Sequence, residues 1–150
     1  MAIWKVPVYG QRTLTVCWEA CARSMWHWRY KNLKNYAKRA GNYVKRNSGL
    51  NEVQMDLFYR QLGLRSLKNA KGANLKHALK WTPVIFTDID QISGHAMVAI
   101  EHIGNYYTVI NPCARQVVHF DGQPDSCSGG TLPLPSAQVE GKLGQYIWYW

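Results

Sequence analysis

The chain has 150 residues, 47% of them hydrophobic and 18% charged, a composition that suits one folded domain with a real core rather than a disordered chain. No apolar run reaches membrane-spanning length, and the opening "MAIWKVPVYG" holds no apolar core of signal-peptide length, so the expectation is a soluble protein without an address, or a domain of a longer one. The formal net charge of +9 is local in origin: between Ala20 and Asn51 there are eight basic residues and no acidic one. Such a face favours acidic partners, although a solvated helix face explains the charge by itself.

Residues 3–9 are apolar and interrupted by Pro7, which predicts an extended segment. From Cys17 the spacing becomes helical. Cys17, Ala20, Cys21, Ser24, Met25 and Trp28 fall on one face, with Thr15 as the expected cap. Leu33, Tyr36, Ala37, Ala40, Tyr43 and Val44 predict a second helical face, closed by "NSGLN". Asn51 and Gln54 stand in capping-box register. Val53, Leu57, Phe58 and Leu62 follow as the expected apolar positions, and Gly63 as the stop. A short helix is expected from Asn74, carrying Leu75, Ala78 and Leu79.

The second half turns β-branched. "TPVIFTDI" predicts a strand, and "GHAMVAIEHIG" with "NYYTVINP" predicts a hairpin across Gly104-Asn105. "RQVVHF" follows as a further run. Residues 121–136 hold most of the turn-formers and are expected to be a loop, and "QYIWYW" is expected to be the last strand. Helices first and antiparallel strands after predict an α+β domain spanning 1–150.

The four cysteines, Cys17, Cys21, Cys113 and Cys127, match no common zinc spacing, so no metal site is expected. Cys113 and Cys127 flank the turn-rich stretch. They would bond in an oxidising compartment and stay as thiols elsewhere, and both states remain open.

Nucleophilic thiol catalysis needs a thiolate, an imidazole beside it and a group that orients the imidazole. Cys17 is expected in the first turn of a helix, where the partial positive charge lowers a thiol pKa. His95 opens a strand after a small-residue turn, and Gly94 allows close approach. Asn111, at the end of the paired strand, could accept a hydrogen bond from the imidazole, with Asp88 or Asp90 as substitutes. Cys21, one turn after Cys17, reads as a core residue, or at most a redox neighbour.

Gln11 six residues before Cys17, the "CW" pair at a helix start, "GHA" opening a strand and "INP" ending the next occur in this order. Together they resemble the motifs of papain-like cysteine proteases, and most of all the compact bacterial kind, which includes secreted effectors and double-glycine leader peptidases. The resemblance implies a helical lobe packed on an antiparallel sheet with a cleft between them. It implies Cys17 as nucleophile, His95 as general base and acid, and Asn111 as the residue orienting His95. Gln11, with the Cys17 amide, would hold the oxyanion. No cofactor is implied. Trp18, Glu19 and Gly94 adjoin these groups and are the candidate substrate contacts, with core packing as the alternative for Trp18. Two departures stand out. Thr15-Val16 precedes the nucleophile in place of a Gly-Ser type pair, and Glu19 stands where compact relatives carry a small residue.

The implied activity is a cysteine endopeptidase acting on a protein or peptide, with a glycine-rich cleavage site suggested by the double-glycine peptidases. Its setting would be a bacterial effector or toxin domain, delivered by a secretion system into the cytoplasm of a target cell and restrained by an acidic inhibitor or immunity protein. No membrane partner is expected, since no apolar run reaches spanning length, and no nucleic-acid partner, since Tyr36 and Tyr43 fall at helical spacing that reads as core. The same thiol site could instead serve a deamidase, an acyltransferase or a cell-wall peptidase. A basic binding module with a structural cysteine is the rival outside enzymology.

Overall fold

The structure is a computed structural model that describes residues 3–89 and 95–150. Helices α1 (Cys17–Tyr30), α2 (Tyr36–Ala40) and α3 (Glu52–Leu62) come first, α2 running on into a 3-10 turn at Gly41–Lys45. Strand β1 (Arg65–Lys68), helix α4 (Gly72–Ala78) and strands β2 (Val84–Asp88), β3 (His95–Ile103), β4 (Tyr106–Val117) and β5 (Ser126–Pro135) follow. Helix α5 (Ser136–Gly141) and strand β6 (Leu143–Tyr149) close the chain. The strands form one antiparallel sheet in the order β1-β6-β2-β3-β4-β5.

The central strands are buried on both faces, and period-two alternation divides their side chains between two cores. Ile85, Val98, Ile110 and Trp148 point to one side and meet Trp18, Met25, Phe58 and Tyr59 from α1 and α3. Their neighbours Val84, Phe86, Met97, Val109 and Ile147 point to the other side and meet Leu75, Leu79 and Val139 from the α4 and α5 region. The α+β class is as expected, but helices cover both faces of the sheet rather than one.

Local chemistry explains the helix ends. The Asn51 side chain accepts from the Gln54 amide at 2.8 Å and the Gln54 side chain accepts from the Asn51 amide at 3.0 Å, completing the expected capping box. Gly63 ends α3 at φ 101°, a left-handed conformation that glycine adopts without penalty. The buried stripe of α3 is Met55, Phe58, Tyr59 and Leu62, while Val53 and Leu57 face outward at 59% and 58% exposure, against expectation. Thr15 does not cap α1. Val16 holds that position, and the Thr15 hydroxyl donates to the Asn47 carbonyl.

Three further expectations are corrected. The second helical face is split, because Gly41 at φ 63° breaks α2 after Ala40; Tyr36 and Ala40 are buried there and Ala37 is exposed. "RQV" is the end of β4 rather than a separate strand. The stretch expected as a loop contains β5, which pairs with β4 from Tyr106↔Pro135 to Val117↔Ser126. Its prolines are tolerated because β5 is an edge strand. Cys113 and Cys127 form a disulfide across this pair, with Cα atoms 4.7 Å apart. No helix among the described residues is long and apolar enough to cross a membrane.

Candidate active site

The first residue of α1 is Cys17, set where the helix meets the sheet and only 6% exposed. The Ala96 amide, from the second residue of β3, donates to Cys17 Sγ at 3.4 Å. The strand start that carries His95 is thereby held against the thiol. Cys17, His95, Asn111 and Gln11 line one cleft of about 330 Å³. Leu14, Leu50 and Met55 give it an apolar wall.

The His95–Asn111 pair is well defined. His95 Nε2 and Asn111 Oδ1 are 2.6 Å apart, and the same oxygen accepts the Cys113 amide at 2.9 Å. A backbone N–H can only donate, so the Cys113 contact fixes which end of the Asn111 amide is oxygen. A carbonyl oxygen can only accept, so Nε2 carries the imidazole proton. Neutral His95 then has Nδ1 unprotonated and able to take a proton.

Gln11 is 2% exposed and held by its backbone on both sides: its amide donates to the Pro112 carbonyl at 3.1 Å, and its carbonyl accepts from the Cys127 amide at 2.8 Å. Its Nε2 donates one hydrogen to the Thr13 carbonyl at 3.1 Å, leaving a second N–H on the side chain. The Cys17 amide belongs to the first helical turn, whose N–H groups have no partner within the helix. These two donors are the expected oxyanion pair.

Burial pushes the Cys17 thiol above its ordinary value, and the amides of Ala96, Trp18 and Cys17 itself oppose that rise without cancelling it. The first-turn amides lower the thiol pKa as expected, but desolvation outweighs them. A thiolate here needs a nearby base to receive the proton. Cys21 is pushed up further, by complete burial and then by the charges of Cys17 and Glu19, and is an inert core thiol.

The candidate substrate contacts fare differently. Trp18 is fully buried, donates its indole N–H to the Ser48 carbonyl at 3.3 Å and stacks edge-on to Phe58, while also contributing to the cleft lining. Glu19 does not line the cleft. It is 2% exposed and accepts from Arg23 at 2.7 Å, from the Tyr36 hydroxyl at 2.7 Å and from Arg12 at 3.4 Å. Its helical position turns it away from the sheet into this polar cluster, so its presence in place of a small residue is a packing matter. Gly94 and Asp90 lie outside the described residues. Asp88 pairs with His95 in the β2–β3 ladder, while the imidazole itself is bound by Asn111. Sequence reasoning missed the Cys113 amide as the group that orients Asn111; its signal was only a cysteine two residues downstream.

No family model matches the sequence, and no curated protein matches it. Solved structures do. The chain superposes on a double glycine motif protease from an AMS/PCAT transporter, solved in complex with the leader peptide, at TM-score 0.64 and 17% identity, covering 99% of this chain and 94% of that one. It superposes on the peptidase domain of Streptococcus ComA, a bifunctional ABC transporter of a quorum-sensing pathway, at TM-score 0.62 and 11% identity over 97% and 96% of the two chains. The Streptococcus mutans ComA peptidase domain gives TM-score 0.56 and 10% identity, over 94% and 95%. The chain therefore has the papain-like α+β fold of double-glycine peptidase domains.

Proposed function

We propose that the protein is a cysteine peptidase that cleaves a peptide bond at Cys17. The observation that carries this reading is the convergence of Cys17, His95, Asn111 and Gln11 on one cleft, with the imidazole tautomer set for proton acceptance. The fold shared with double-glycine peptidases supports it.

In this mechanism His95 Nδ1 takes the thiol proton as Cys17 Sγ attacks the substrate carbonyl carbon. The resulting imidazolium offsets the cost of a buried thiolate, which burial alone opposes. The tetrahedral oxyanion is held by the Cys17 amide and Gln11 Nε2. Collapse breaks the C–N bond, and His95 returns the proton to the leaving amine. Water, deprotonated by His95, then releases the acyl group and regenerates the thiol. Asn111 keeps the imidazole aligned through both halves.

A double-glycine cleavage site is the specificity we propose, supported by the shared fold with a double glycine motif protease solved with its leader peptide. The test is a panel of peptides with Gly-Gly, Ala-Ala or Leu-Leu before the scissile bond, followed by mass spectrometry. Cleavage after Gly-Gly only is expected, and equal cleavage of all three would remove the glycine preference. An effector or toxin role, with an acidic inhibitor as partner, is supported by the net charge of +9 and by Lys34, Lys38 and Arg39 grouped around one open depression. Co-purification with acidic neighbouring gene products tests that role, and repeated failure to find a tight partner would count against it. A second reading, cell-wall peptide hydrolysis at the same thiol, is favoured by the Cys113–Cys127 disulfide, which suits an oxidising compartment.

A further inference from the structure

We infer that the Cys113–Cys127 disulfide is a positioning element of the active site, holding the orienting amide of Asn111 and the oxyanion side chain of Gln11 in register. The inference rests on the peptidase reading above. Each half of the bridge touches one of these groups. The Cys113 amide donates to Asn111 Oδ1 at 2.9 Å and thereby sets the face that Asn111 presents to His95. The Cys127 amide donates to the Gln11 carbonyl at 2.8 Å, and the Gln11 amide donates to the Pro112 carbonyl at 3.1 Å. Gln11 is thus inserted between β4 and β5 at the bridged residues.

The ladder holds Asn111 and Cys127, which pairs with Gln116, but not Cys113. Asn111 pairs with Gly130 and Arg115 with Ser128, so Pro112, Cys113 and Ala114 of β4 face only Gly129 of β5. At that bulge regular pairing is interrupted and the disulfide is the covalent tie. The approach of the Gln11 segment is also close. A Cβ on Gly10 would stand 2.2 Å from the Cys127 carbonyl oxygen, so only glycine allows the chain to run there. Opening the bridge frees the bulge while leaving both helix-covered cores intact. The consequence is a site that is complete in an oxidising compartment and loosened by a thiol-rich cytoplasm.

The test compares the oxidised full chain, the same protein after a water-soluble phosphine, and the Cys113→Ser/Cys127→Ser double variant. In the reduction the S–S bond breaks, the phosphine supplies two electrons and takes the oxygen of one water as phosphine oxide, and that water's two hydrogens complete the Cys113 and Cys127 thiols. Cys17 is already a thiol and is unchanged by this step. The readouts are kcat and KM on a Gly-Gly peptide, the pH profile of Cys17 alkylation by iodoacetamide, and far-UV circular dichroism.

Loss of alignment should lower kcat by about tenfold to a hundredfold while KM moves little. Cys17 alkylation below about pH 7 should slow as its imidazole partner drifts. The circular dichroism spectrum should persist, and reoxidation should restore the reduced wild type but not the double variant. Unchanged kcat and alkylation would overturn the inference. So would activity lost only in step with the folded signal, which would make the bridge a general stabiliser. An oxidised wild type that cleaves nothing, and whose Cys17 alkylates no faster than in His95→Ala, would defeat the peptidase reading and the positioning role with it. That failure is distinguishable because it appears before any reduction.

Discussion

His95 and Asn111 meet at 2.6 Å from adjacent antiparallel strands, and the orientation of Asn111 is set by a backbone amide rather than by another side chain. Asn111→Ala removes the acceptor and leaves the imidazole free to rotate and to change tautomer. A loss in kcat of about 10²–10⁴-fold is expected, the range of general acid–base catalysis, with the fold retained. Steady-state kinetics with circular dichroism checks this, and an Asn111→Ala protein with wild-type kcat would remove Asn111 from the mechanism.

Gln11→Ala deletes one oxyanion donor. Since the Gln11 backbone bonds to Pro112 and Cys127 survive the change, the loop should stay in place. The expected effect is about 10²–10³-fold in kcat with KM nearly unchanged, because the donor matters only when charge develops on the carbonyl oxygen. A rise in KM alone would instead mark Gln11 as a ground-state contact.

Glu19→Ala should affect stability rather than substrate choice. It removes the acceptor of the Tyr36 hydroxyl and the partner of Arg12 and Arg23, all meeting a carboxylate with 2% exposure. The arginines remain about one-third exposed and can recover water, so the cost should be about 1–3 kcal/mol rather than that of a fully buried pair. Urea unfolding measures this. The ranking of cleaved peptides should not change, and a reordered ranking would return Glu19 to the substrate site.

The sequence was legible where local chemistry is strong. The Asn51–Gln54 capping box, the Gly63 stop and the Gly104-Asn105 hairpin all follow from side-chain type and spacing, whereas the grouping of Gln11, Cys17, His95 and Asn111 was an expectation from the resemblance of their order to papain-like motifs. It was illegible where tertiary context overrides local preference. Ser126–Pro135 contains glycines and prolines that signal a loop, yet it forms an edge strand because β4 supplies a partner and a disulfide. Val53 and Leu57 looked like core positions, but Met55 and Tyr59 occupy the buried stripe of α3. Glu19, two residues after the nucleophile, faces a polar cluster because two helical steps rotate it about 200° off the cleft. The thiol of Cys17 was expected to be acidic from its helix position; the first-turn amides act in that direction, and burial outweighs them.

Glu140 gives a pH signature independent of the active site. Burial would raise its pKa, but the hydrogen bonds from Lys76 and the Tyr107 hydroxyl outweigh that and hold it below its ordinary value of 4.5. A carboxyl lowered in the folded state adds stability that is present above its unfolded value and is lost as pH falls through the folded one. Wild type should therefore melt above Glu140→Gln at neutral pH, and the difference should shrink below about pH 4.5. Calorimetry across this range checks it, and a pH-independent difference would assign the effect to packing.

The measurement that tests the central claim most directly is the mapping of new protein N-termini by mass spectrometry, in a bacterial lysate treated with wild type or with Cys17→Ala. New termini with the wild type only, preceded by small residues, are the predicted result. A well-folded wild type that generates no new termini would contradict the peptidase reading. Altered side-chain amides in the same data would then point to a deamidase or acyltransferase, and unaltered proteins would point to a packed core thiol.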